Sequence, residues 1–165
     1  MNRIAAGAVA GCLATLPMTQ AMDFMYRKLP PDQRFPLPPH GITTNLLRKL
    51  GREQAWSPDE IRRLSLVLHF GFGAYAGALY PLIRRPPQSV AAEILEGAAY
   101  GVGVWAASYL GWVPASGLLG SARQQTRARV GLMVLAHLVW GPATAWLARQ
   151  MESRSFSVRM NRETL

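Results

Sequence analysis

Four stretches of this chain, residues 4–22, 64–83, 97–113 and 130–148, contain no Asp, Glu, Lys or Arg, although the sequence holds 18 Lys and Arg and 9 Asp and Glu. Each stretch is 17 to 20 residues long, and a helix needs about 20 to cross a bilayer. A helix on the surface of a soluble domain keeps charge on its outer face, and these keep none. The pattern predicts an all-α integral membrane protein, a four-helix bundle without β-structure. Its spans fall at about residues 4–26, 60–83, 92–113 and 130–148. The mean hydropathy of +0.07 conceals this, because charge and apolar surface are segregated along the chain. Residues 1–150 are expected as one four-span domain, and 151–165 as a basic, mobile tail.

The formal net charge of +9 therefore sits in loops and tail. A basic segment beside a bilayer is drawn to anionic headgroups, so lipid is the expected partner of the linker at residues 28–57. No recognition motif accompanies the charge, and nucleic acid is not an expected partner. The single cysteine, Cys12, excludes an internal disulfide and a thiolate zinc site. Eleven of the 18 Lys and Arg flank the linker side of the spans and seven the other. By the positive-inside rule this leans toward a cytoplasmic linker, with both termini outside.

Punctuation along the chain fits this division. The linker opens with "LPPDQRFPLPPHG", whose five prolines are expected to keep it extended. After it, "ITTNLLRKLG" predicts a short amphipathic helix, capped at Thr43 or Thr44 and ended by Gly51, with its leucines on the membrane surface. "SPDE" at 57–60 is a capping box with proline at the first helical position, so the second helix starts there and runs to Ile83, about 39 Å. Ser89 caps the third helix, and Pro114 stops it.

Three spans carry small residues four apart: Gly7 and Gly11, Gly73 and Gly77, Gly97 and Gly101. Such pairs share one helix face and let backbones approach closely, which matters where lipid removes the hydrophobic drive between helices. Gly141 holds the matching place in the fourth span. The segment "LVLHFGFGAYAGA" at 66–78 aligns with "VLAHLVWGPATAW" at 134–146, pairing His69 with His137 and Gly73 with Gly141. "GAVAG" in the first span likewise echoes "GAAYG" in the third. Helical hairpins duplicated in parallel orientation would give this repeat.

Two groups of residues carry the candidate chemistry. His69 and His137 lie about 8–11 Å inside the linker-side interface, and Asp23 ends the first helix on that side. An ionisable group in a membrane pairs or faces water, so Asp23, His69 and His137 are expected as one intramembrane polar cluster, with His69 tying three helices together. The same trio could relay protons, or its two histidines could clamp haem b or a metal ion between glycine-flanked faces. No cofactor is the leading expectation. The second group, at the opposite end, is Glu93, Glu96, Tyr100, Arg84 and Arg85. There Glu93 is an ordinary first-turn carboxylate, and the deeper Glu96 pairs with an arginine or Tyr100. Ser108 and Thr144 have no base beside them in sequence and are expected to bond the backbone one turn back. Trp105, Trp112, Trp140, Trp146, Tyr80 and Tyr109 read as packing and interfacial anchors. No nucleophile–base set suits an enzyme, and no catalytic residue is expected.

The glycine-rich first span, "PLPP" at 36–39, a glycine-rich third span ending near proline, and "HLVW" at 137–140 before a basic tail together resemble the YagU-like family of small bacterial inner-membrane proteins. The resemblance covers most of the chain and implies a multi-pass inner-membrane location, termini on the inside, and no established catalytic residue. The expected function is a non-enzymatic structural, assembly or stress-tolerance component that meets copies of itself or another membrane protein through glycine faces. The alternative is a small transporter, proton conductor or haem- or metal-binding subunit built on Asp23, His69 and His137.

Overall fold

A computed structural model of the protein describes residues 2–34, 36–84 and 89–163, with side chains through 153. The described residues form helices and turns and no strand, so the chain is all-α. Helix α1 spans Arg3–Lys28, and its first turn is capped by Asn2, whose side-chain oxygen accepts from the Ala5 N–H at 2.7 Å. Helix α3 spans Pro58–Ile83. It starts on a complete capping box, in which Ser57 accepts from the Glu60 N–H and Glu60 accepts from the Ser57 N–H at 2.8 Å. Helix α4, Val90–Ala106, is capped by Ser89. It continues as a π-helical stretch, Ala107–Trp112, with Gly111 off helical geometry at φ −112° and ψ −107°, and ends in the short α5, Val113–Ala115. Helix α6 runs Arg127–Glu163, well past the expected end of the fourth span. Three helical segments, Arg3–Lys28, Pro58–Ile83 and Arg127–Ser153, are long and apolar enough to cross a membrane.

The linker departs from expectation. Its last two prolines begin a helix, α2, at Pro38–Lys49. A proline at the first helical position gives up an N–H that has no partner there anyway. Thr43 and Thr44 consequently fall inside α2 and donate to the carbonyls of Pro39 and His40, at 2.8 and 3.0 Å, instead of capping. Gly51 does end the helix. It takes the left-handed conformation (φ 64°), and the next residue, Arg52, donates back to the Leu47 carbonyl at 2.9 Å. Leu47 is buried and α2 lies against α3. Its other edge is fastened to the loop after α5 by Asn45, which donates to the Leu118 carbonyl at 2.8 Å, and by Lys49 on the Ser116 carbonyl.

Helix α1 packs against both α3 and α6, and α4 packs against α6. Backbones meet at the glycines. A Cβ on Gly7 would collide with the Gly77 carbonyl, and one on Gly11 with the Gly73 carbonyl. In the second hairpin, a Cβ on Gly97 would meet Ala145 Cβ at 2.9 Å, and one on Gly101 the Gly141 Cα at 3.2 Å. Under the sequence alignment these are equivalent contacts, since Gly73 corresponds to Gly141 and Gly77 to Ala145. One pair of equivalents is broken. Helix α1 is fastened to α6 by the Trp140 indole N–H, which donates to the Gly11 carbonyl at 3.0 Å. The corresponding pair, α4 and α3, is not packed backbone to backbone; aromatic side chains bridge it instead.

Candidate functional site

The gap between α3 and α4 opens into a cavity of about 540 Å³ in the linker-side half of the bundle. Helix α2 roofs it with Ile42, Thr43 and Leu46. Helix α1 contributes Thr15 and Met18, α3 the face from Ser65 to Tyr75, the π-helical stretch Ser108, Tyr109 and Trp112, and α6 Met133, His137 and Trp140. At the far end the gap is closed by Tyr80 against Tyr100, ring centroids 5.1 Å apart, and by the Tyr100 hydroxyl donating to the Ala76 carbonyl at 2.5 Å. Phe72 and Trp112 meet across the mouth at 5.8 Å.

His69 and His137 both line this cavity, and Asp23 does not. Asp23 is exposed on α1, where Arg27, four residues on, takes its carboxylate at 2.6 Å. A carboxylate with an i,i+4 partner in contact with solvent has no drive to enter the bundle unpaired. The expected tie through His69 is also absent, because its Nε2 is buried without a hydrogen-bond partner. His137 is 5% exposed, and its Nδ1 lies 2.8 Å from the Met133 carbonyl. A carbonyl can only accept, so Nδ1 carries the proton, and Nε2 is the acceptor of the neutral ring.

Ser108 is the residue whose role the sequence misassigns. Thr144 does bond one turn back, to the Trp140 carbonyl at 2.8 Å. Ser108 does not: it sits in the π-helical stretch, is 3% exposed, and its Oγ has no partner. Widening of the turn shifts the carbonyl that an α-helical serine would use. Glycine 111 and proline 114, close together after an unbroken apolar run, were the available signal. Among the described residues no Asp, Glu, Lys or Arg lines the cavity, so none of them would meet the propionates of a haem. Among the described residues no group of three or more His, Cys, Asp and Glu could hold a metal ion.

The second group is rearranged. Glu93, taken as ordinary, is buried and accepts from Arg149 of α6 at 2.7 Å. Glu152, one turn on in α6, pairs with Arg84 and lies 3.9 Å from Arg3. Glu96 is half-buried, and Tyr100 turns to the α3 backbone instead of pairing with it. Arg85 lies outside the described residues. Glu152 falls in the segment expected as a mobile tail; its i,i+3 spacing from Arg149 on one helical face is the legible sign that α6 continues. Trp140 and Tyr109 are buried, whereas Trp112 and Trp146 remain about half exposed.

Comparison of the chain with family models, with curated proteins and with solved structures finds no match.

Proposed function

We propose that this chain is a multi-pass protein of a bacterial inner membrane, of YagU-like type, whose work is to bind a small molecule inside the bundle without covalent chemistry. Four segments cross the bilayer: α1, α3, α6, and α4 together with its π-helical extension. Supporting this are the apolar lengths of the first three and the helical path from Val90 to Ala115, long enough to follow them across. Two duplicated hairpins, each closed on its own glycines, account for the equivalent contacts at Gly7 and Gly97 and at Gly11 and Gly101. The observation that carries the binding role is the cavity, which has two histidines, an unpaired serine and no charged side chain among the described residues that line it. A purely structural or assembly component would have no need of such a hollow between α3 and α4, so the binding subunit is preferred to it.

Reporter fusions test the crossing count directly. With four spans, a reporter inserted after Arg52 and one at Leu165 lie on opposite sides of the membrane. With α4 failing to cross, both report the same side, and the reading is wrong. Carbonate extraction supplies the prior condition: the chain must stay in the membrane pellet.

A further inference from the structure

We infer that the cavity takes a neutral amphiphile, an apolar chain bearing one hydroxyl or carbonyl oxygen, which enters sideways from the bilayer between α3 and the π-helical stretch. This rests on the membrane reading above and adds the class of ligand and its route.

The route follows from what the gap lacks. Val67, Leu68, Tyr75 and Trp112 line the cavity and are also exposed, at 66, 40, 63 and 46%, so the cavity reaches the outer surface of the bundle through apolar side chains. Gly71 lies among them, one turn from Leu68 and Tyr75. Unlike Gly73 and Gly77 it permits no close approach, since a Cβ there would meet nothing within 4 Å. A glycine inside a helix is unfavourable relative to alanine, and here no packing accounts for it. Its effect is to leave the mouth clear. The duplicated hairpins place the opening where the second copy of the α1–α6 seam would lie.

The chemistry follows from the walls. A cavity of about 540 Å³ is in the range of small-molecule sites. With no Asp, Glu, Lys or Arg among the described residues of its lining, a charged headgroup would be left unpaired in a low-dielectric site. Yet Ser108 Oγ and His69 Nε2 are buried and unsatisfied, and His137 offers an acceptor nitrogen. Native structures rarely leave such groups orphaned. A hydroxyl oxygen that accepts from Ser108 and donates its one proton to an imidazole nitrogen serves two of these groups, and a carbonyl oxygen serves Ser108 alone, while an apolar chain fills the remainder and the mouth.

The experiment uses the full chain in lipid nanodiscs with three photoreactive probes of one sixteen-carbon, diazirine-bearing chain: the alcohol, the carboxylate at pH 8, and the plain hydrocarbon. Adducts are mapped by mass spectrometry after proteolysis, and the unfolding midpoint of every variant is recorded. The alcohol is expected to mark the cavity faces of α3 and the π-helical stretch several-fold above the hydrocarbon. Ser108→Ala and His69→Leu should each bring it down to the hydrocarbon level and leave hydrocarbon labelling of the outer faces unchanged. Gly71→Leu, whose side chain enters open space, should cut alcohol adducts in the cavity at least fivefold. Should Ser108→Ala fail to fold, Gly71→Leu decides. Equal labelling by alcohol and hydrocarbon, stronger labelling by the carboxylate, or no effect of Gly71→Leu overturns the inference. A chain released by carbonate extraction defeats the membrane reading itself, whereas a membrane-bound chain whose cavity takes no alcohol refutes only the ligand.

Discussion

Gly141→Ala adds one methyl group at the tightest place in the second hairpin. The new Cβ would collide with the Gly97 carbonyl oxygen and lie 2.8 Å from the Gly97 carbonyl carbon and 2.9 Å from the Gly101 nitrogen. All three are backbone atoms and cannot rotate away, so α4 and α6 must part. Carbon pairs are most stable at about 3.5–4.0 Å, which sets a separation of roughly 0.7–1.2 Å from the Gly97 carbonyl carbon. A gap of that size forfeits a quarter to a half of each contact's ~0.1–0.2 kcal/mol. Over the few tens of atom pairs in the seam this amounts to about 1–3 kcal/mol, within the usual cost of overpacking. Gly103 is the control: it is exposed on the same helix as Gly97, and a Cβ there meets nothing within 4 Å. Gly103→Ala gains helix propensity and should be neutral or mildly stabilising. Reversible unfolding in mixed detergent micelles, followed by circular dichroism, measures both. A Gly141→Ala protein as stable as wild type, or a Gly103→Ala protein weakened equally, would show that the seam does not depend on close backbone approach.

His69→Leu should leave stability unchanged or raise it, because it removes a buried nitrogen that has no partner; a loss above about 1 kcal/mol in the same assay would mean that the ring is bonded after all. Arg149→Ala strands the Glu93 carboxylate, only 6% exposed at its side chain, and should cost about 1–3 kcal/mol, less than for a fully buried pair because Arg149 is 45% exposed. Adding Glu93→Gln should restore most of that loss in the unfolding free energy. Ser57→Ala removes the cap of α3 and should cost about 1 kcal/mol by the same measurement. The Arg48 guanidinium, hydrogen-bonded to Glu53 at 2.7 and 2.9 Å, holds that carboxyl below its ordinary value of 4.5. Arg48→Ala should bring it back up in an NMR titration. The stabilisation from this pair is present at neutral pH and is lost as pH falls through the depressed value.

The helices were legible because their signals are local. Ser57 with Glu60, Ser89 and Gly51 fix ends within a single turn, and charge segregation fixes the apolar lengths. The glycine faces were legible too, since residues four apart share a face whatever the tertiary partner. What sequence could not supply was which side chain finds a partner across the bundle. Asp23 and His69 have compatible depths, yet Asp23 is claimed by Arg27 on its own helix. Glu93 looked like a dipole-complementing carboxylate because its partner, Arg149, lies 56 residues away. The cavity depends on an unpacked seam and a π-helical turn, and neither leaves a periodic mark. Gly71, the residue at its mouth, looks in sequence like any of its glycine neighbours.

The position of the close contacts also bears on how the chain is assembled. Gly7 and Gly11 meet Gly73 and Gly77, all in the first half of the chain, and Gly97 and Gly101 meet the α6 backbone from His137 to Gly141, all in the second. The halves also meet along the whole face between α1 and α6, where the Trp140 indole bonds Gly11, and through the Tyr100 hydroxyl on Ala76 and Arg84 on Glu152. The amino-terminal hairpin can therefore close during synthesis, before α6 has left the ribosome, as domains generally form in order from the amino terminus. Its connection, residues 29–57 with α2 folded inside it, is ready when α3 arrives. The face between α1 and α6, with its Trp140–Gly11 hydrogen bond, can form only once α6 has followed.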